Sequence, residues 1–315
     1  MPPKRKQPPA GNPLINNDRL KQLYTSMVQC RLLGERASRR PGQDAAVRGT
    51  LVSPGSEATA AGVVSHLHPK DTLAPAPGDL LTAFLKGMPL REIALQTTGS
   101  SSNGRILPSK SDPAPNLIPA TATPDLQISL ATGAALAYRN ENNSRVVVAF
   151  LAGDWQSKPG SRETLSFAAG NELPIVYVSR TTAGRPGAEE LDEREVLPNS
   201  LAASGMTVIP VDGNDVVAVY RVAQESIHRA RLGSGPTLID ARMDFSFGPA
   251  GQAKNSAPAV TEPITLLEAY LTAKGLFSAT WKRKIELQFS RELDAAWKSA
   301  RPRKKARLNK FARPK

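Results

Sequence analysis

Four short runs of aliphatic and β-branched residues constrain this chain more than any other feature. They lie at 145–151 (RVVVAFL), 174–179 (PIVYVS), 207–211 (TVIPV) and 237–242 (TLIDAR). A strand that is apolar on both sides needs cover on both faces, which is the condition of strands in parallel sheets. Helix-patterned segments separate or precede the runs, at 127–138, 163–169, 199–204 and 215–231. Strands alternating with helices predict an α/β fold with a mainly parallel sheet and helices on both faces.

The first third of the chain reads as helical. Leu20, Leu23, Tyr24, Met27 and Val28 follow the helical period over 18–36, and Asn17 stands where a cap belongs. A second helix is expected from Ser53 to Leu67, with Ser53 as cap and Pro54 in the first turn. Shorter helices are expected at 79–86, stopped by Gly87, and at 90–96. Residues 97–124 show no period and are rich in Ser, Pro, Thr, Asn and Gly, the pattern of a binding loop or an unstructured one. Residues 182–195 form a second irregular, charged stretch, and amphipathic helices are expected at 264–274 and 279–297. The expected division is a basic, Pro-rich tail over 1–16, one domain over 17–297, and a basic tail over 298–315.

Charge separates the ends from the body. The net charge is +13, yet the twelve basic residues within 1–8 and 298–315 have no acidic neighbour there. Without them the body carries 29 basic against 28 acidic residues. The ends are therefore either solubilising tails or contacts for a polyanion, meaning an acidic protein or a nucleic acid. One cysteine, Cys30, excludes an internal disulfide and a cysteine-type zinc site. No apolar run follows the Met-Pro-Pro-Lys-Arg-Lys start, and the longest, 146–152, is far too short to cross a bilayer. A cytoplasmic protein without a membrane partner is expected.

The chemistry-bearing motif is Ala152-Gly153-Asp154-Trp155, directly after the 145–151 strand. Ligands of open parallel sheets bind beyond the carboxyl ends of the strands. Gly153 would let backbone approach a diphosphate, and Asp154 offers magnesium a hard oxygen. The same residues also read as a turn with a capping Asp. Three histidines, His66, His68 and His228, lie on helical segments where structural roles are usual, and no Ser-His-Asp or Cys-His set falls in one place.

The order of segments resembles the alpha subunit of the thiamine-diphosphate-dependent 2-oxo acid dehydrogenases of the pyruvate and branched-chain type. The matching stretches are LKQLYTSMVQCRLLGER (20–36), GSEATAAGVVSHLHPKD (55–71), QISLATGAALAYRNENNSRVVVAFLAGD (127–154) and LPIVYVS (173–179). VDGNDVVAVYRVAQESIHRAR with GPTLIDA (211–241) is the most specific, and LEAYLTAKGLF (267–277) closes the set. The resemblance spans about 18–297 and implies the thiamine-diphosphate-binding fold, with thiamine diphosphate and magnesium as cofactors. It also implies a beta-like subunit that completes the cofactor site and a lipoyl acyltransferase core as a further partner.

The residues that should hold the cofactor depart from that pattern. The family's Gly-Asp-Gly reads Gly153-Asp154-Trp155, and its Asn-Asn after the next strand reads Arg180-Thr181-Thr182. Asp154 remains as a metal ligand, and Thr181 or Thr182 offers a hydroxyl in place of the Asn. The Tyr-Arg pair and His-Gly-His before the helix ending at Gly87 are replaced by Ala76-Pro77-Gly78-Asp79-Leu80-Leu81-Thr82. The Gly-Arg-Gly-Gly loop reads Gly104-Arg105-Ile106-Leu107, leaving Gly104 and Arg105 as candidate cofactor contacts, and the later Gly-His reads Gly248-Pro249. Glu57 matches a family glutamate for which a buried or capping role is expected. The expectation is an alpha-like subunit with an eroded cofactor site. Its rivals are a divergent but working subunit, or a fold reused to bind through its basic ends.

Overall fold

The computed structural model describes residues 15–38, 55–98, 116–119, 124–151, 155–183, 201, 204–244 and 262–300. Five strands form one sheet: β1 (Thr72–Ala74), β2 (Val147–Leu151), β3 (Ile175–Ala183), β4 (Thr207–Asp212) and β5 (Thr237–Asp244). Their spatial order is β1-β2-β3-β5-β4, and every pairing is parallel. The predicted parallel sheet is therefore present. β1 has only three residues, too few to show a period in sequence.

Two helices, α5 (Pro124–Asn140) and α6 (Pro159–Gly170), cover one face of the sheet. There Ile128, Ala131, Ala135 and Leu165 pack on Val147, Ala149, Ile175 and Tyr177. The other face takes α2 (Glu57–Val64) and α7 (Val216–Arg231), with Val63, Val219, Ala223 and Ile227 against Val148, Phe150, Val176 and Val178. Period-two alternation along β2 and β3 sends successive side chains to opposite layers. Helices α1 (Asn17–Ser38), α8 (Pro263–Ala273) and α9 (Ala279–Ala300) build a further layer with α3 (Leu80–Leu85) and α4 (Leu90–Thr98). Tyr24 sits at its centre, its ring 5.0 Å from Trp281 and its hydroxyl donating to Glu268 at 2.7 Å.

Several boundaries differ from the sequence reading. The Arg19 amide donates to the Asn16 side chain at 2.8 Å, so Asn16, not Asn17, caps α1. The second helix starts at Glu57, not near Ser53, which lies outside the described residues. Gly55 takes a φ of 95°, and its amide donates to the Glu57 carboxylate at 2.8 Å; a turn closed this way directly precedes the helix. β3 continues through Arg180, Thr181 and Thr182, which the sequence placed after the strand. They pair with Ala241, Arg242 and Met243 of β5, because β5 is long enough to supply partners and two β-branched threonines suit a strand. α9 extends to Ala300, beyond the expected end at 297.

At the amino ends of the strands, buried Asp71 ties three elements together. It accepts the Val146 amide at 3.1 Å and both terminal nitrogens of Arg231, at 3.0 and 2.7 Å. This fork holds the end of α7 to β1 and β2 and leaves the opposite, carboxyl edge as the place for a site.

Candidate functional site at the carboxyl edge of the sheet

Beyond Leu151 the chain passes Gly153 and Asp154, which lie outside the described residues, as do Gly104 and Arg105. It re-enters as a single turn of 3-10 helix, Trp155–Ser157. Trp155 is 1% exposed, and its ring sits among Leu151, Leu165, Leu201 and Tyr177. Its indole N–H donates to the Ser179 hydroxyl at 3.1 Å. The bulk of this side chain is accommodated below the strand ends, in the layer between the sheet and α6.

The end of β3 presents two different environments. On the α5–α6 side, the Thr181 hydroxyl donates to Asp240 at 2.7 Å, and Asp240 also accepts from Arg242 at 2.9 Å. Thr182 is placed by its pairing with Met243 alone. On the other side, Arg180 lies 5.2 Å above the ring of Phe150 and donates to Asp79 at 2.6 Å. Asp79 comes from the segment just before α3, where its second oxygen accepts the Thr82 amide at 3.1 Å as a helix cap. Arg180 and Asp79 are 15% and 4% exposed, so their attraction acts in a site largely closed to water.

The structure therefore brings two groups to one edge: Trp155, Ser179 and Thr181 on the α5–α6 face of β3, and Arg180 with Asp79 on the opposite face. Sequence reading noted Arg180 and Asp79 only as replacements in two separate motifs. It had no signal that would join residues 101 positions apart. Asp240, the partner of Thr181, was likewise read only as part of a strand. Among the described residues no group of three His, Cys, Asp or Glu side chains is placed to hold a metal. No described helix is long and apolar enough to cross a membrane.

Two other singled-out residues, Glu57 and His66, have structural partners. Glu57 is fully buried and takes the Gly55 amide and the Arg31 guanidinium. His66 stacks on Tyr220, its ring 4.1 Å away, and its Nε2 lies 2.9 Å from the Tyr220 carbonyl. Burial pushes this imidazole down to about 4; the carbonyl partly opposes that, and the Arg19 charge adds to it.

Comparison with known proteins places this arrangement. The chain is 28% identical over 258 residues to the pyruvate dehydrogenase E1 component subunit alpha of Acholeplasma laidlawii, covering 78% of this chain and 73% of that protein. It is 30% identical over 247 residues to a 3-methyl-2-oxobutanoate dehydrogenase subunit alpha of Mycobacterium tuberculosis, covering 74% of this chain and 64% of that one. Among solved structures, a transketolase mutant from Pichia stipitis superposes with a TM-score of 0.53 at 17% identity, over 91% of this chain. The chain spans about half of that transketolase, 47% of its length. A family model described as the dehydrogenase E1 component matches residues 35–309, and the chain belongs to that family.

Proposed function

We propose that this chain is an alpha-type subunit of a 2-oxo acid dehydrogenase assembly whose own share of the thiamine diphosphate site is degenerate. Its contribution is then architectural or regulatory, and a beta-like chain is its partner. The relatives named as alpha subunits of pyruvate and 3-methyl-2-oxobutanoate dehydrogenases support the substrate class, oxidative decarboxylation of a 2-oxo acid. The partner reading draws on Leu126 and Leu130 of α5 and Phe167 of α6, large apolar side chains left exposed on the layer that covers one face of the sheet.

The observation that carries the degenerate reading is the donor set at the carboxyl edge. A magnesium diphosphate needs hard oxygens for the metal and cationic or N–H donors for the phosphates. The described side chains at this edge leave the phosphates no unpaired cation, since Arg180 is held by Asp79 and Arg242 by Asp240. Arg180 is neutralised by Asp79, and Asp79 adds a carboxylate where a diphosphate would bring further negative charge. Asp154 is the one family-type ligand left in the sequence.

Three polar contacts expected from the resemblance are replaced: the Asn ligand, the phosphate-binding Arg and the nearby His. Hydrogen bonds to charged groups contribute roughly 1.5–3 kcal/mol each. Allowing for non-additivity, the loss is on the order of 4–6 kcal/mol, about a thousandfold in affinity. Calorimetric titration of thiamine diphosphate with magnesium into the purified chain, alone and with a beta-like partner, is expected to show no micromolar binding. Micromolar binding that vanishes in Asp154→Ala would instead establish a divergent, working subunit.

A further inference from the structure

We infer that Arg180 is a phosphate-type anion site masked by the protein's own Asp79, whose carboxylate stands in for the bound anion. The inference deepens the degenerate-site reading and rests on it. Its basis is one ion pair and the two places that it joins.

Arg180 lies on β3 just beyond the residues paired with β2, and its guanidinium carbon is 5.2 Å from the centroid of the Phe150 ring. A guanidinium is a planar fork of N–H donors, the geometry that recognises planar or tetrahedral oxyanions, and the ion pair with Asp79 holds this one in place. At 15% exposure it needs a counter-charge, because an unpaired buried cation is costly. Asp79 supplies that charge at 2.6 Å from an element remote in sequence. The contact joins β3 to the segment entering α3. At this separation no group fits between the two side chains. A ligand oxygen reaches Arg180 only when the carboxylate is removed or turned away.

The two oxygens of Asp79 have separate tasks, one capping α3 and the other neutralising Arg180. Asparagine keeps the first task and loses the second, since its side-chain oxygen still caps a helix and carries no charge. Asp79→Asn therefore leaves Arg180 in a partly closed site without its anion, open to one from solution.

The probe is inorganic diphosphate, titrated calorimetrically into the full-length wild-type chain, Asp79→Asn, and Asp79→Asn/Arg180→Asn. The expected result is no measurable binding to wild type at micromolar concentration. Asp79→Asn should bind at least tenfold more tightly, and the gain should disappear in the double variant. Circular dichroism verifies that each variant folds; if Asp79→Asn does not, Asp79→Ser, which also caps, takes its place. Diphosphate binding unchanged by Asp79→Asn, or a gain that survives loss of Arg180, overturns the inference. Neither outcome touches the degenerate-site reading, which is judged separately by thiamine diphosphate with magnesium on the wild-type chain.

Discussion

Glu57 shows how one side chain can be both legible and underestimated. The family resemblance gave it a buried or capping role, and its carboxylate is buried and bonds the Gly55 amide. Sequence could not show that Arg31 reaches across from α1 to the same carboxylate and on to Glu262, 2.5 Å from its second nitrogen. Glu57 is fully buried while Arg31 is 27% exposed, so the carboxylate depends on this pairing more than the guanidinium does. Removing one partner of a buried pair leaves the other charge uncompensated, at a cost of about 3–5 kcal/mol when both are enclosed. Because Arg31 retains Glu262 and some water, Glu57→Ala is expected to lose roughly 2–4 kcal/mol. Urea denaturation measures this as a lower midpoint at unchanged slope. A midpoint equal to wild type would mean that the α1–α2 tie carries no stability.

At the scale of elements, the crossing of α2 and α7 joins two of the stretches that carried the family resemblance, 55–71 and 211–241. Gly62 makes it possible: a Cβ there would lie 2.7 Å from a Val219 methyl and 3.1 Å from the Tyr220 amide nitrogen. The close approach brings His66, in the turn after α2, onto the ring and carbonyl of Tyr220. Sequence reading correctly gave this histidine a structural role but placed it on the helix surface. Its folded value, about 4, lies below the unfolded one near 6.5 because burial disfavours the charged form. The unfolded chain therefore binds more protons between those values. The contribution is complete above about pH 6.5 and is lost as pH falls toward 4, up to roughly 3 kcal/mol. Thermal unfolding between pH 4 and 8 should show a steeper acid loss in wild type than in His66→Gln, where the amide can still donate to the Tyr220 carbonyl. Parallel curves would refute the assignment.

At the scale of the whole molecule, the apolar surface is unevenly distributed. Three of the six large hydrophobic side chains exposed among the described residues, Leu126, Leu130 and Phe167, lie on the α5–α6 layer. Leu126 and Leu130 are one turn apart and share a helix face. Gly133 and Gly160, where an added Cβ would meet nothing within 4 Å, leave this layer open to a close neighbour. The proposed partner is expected to cover these side chains, as contiguous exposed apolar surface is characteristic of interaction faces. Light scattering of the chain with its beta-like partner is expected to show a complex, and the triple Ser variant at 126, 130 and 167 should weaken it at least tenfold. An unchanged complex would move the interface elsewhere.

Sequence by itself determined the architecture, because that architecture is written in local patterns. The runs 146–151 and 174–179 are apolar on both sides and could only be covered strands. Asp215 before an amphipathic segment fixed the start of α7, where it accepts the Val217 and Ala218 amides at 2.8 and 3.2 Å. The order of those patterns was also enough to indicate the family that the comparisons then established. The tertiary structure decided what the replaced positions became. Arg180, Thr181 and Thr182 became strand because β5 continues alongside them, and hydrogen-bonded pairing outweighs a local turn reading. Trp155 turned inward because Ser179 and the layer beneath α6 offer its indole a partner and its ring a place. Arg180 and Asp79 became one unit because folding brings the start of α3 against the end of β3. Charge attraction across 101 residues of chain leaves no periodic trace in either segment, so only the folded geometry reveals it.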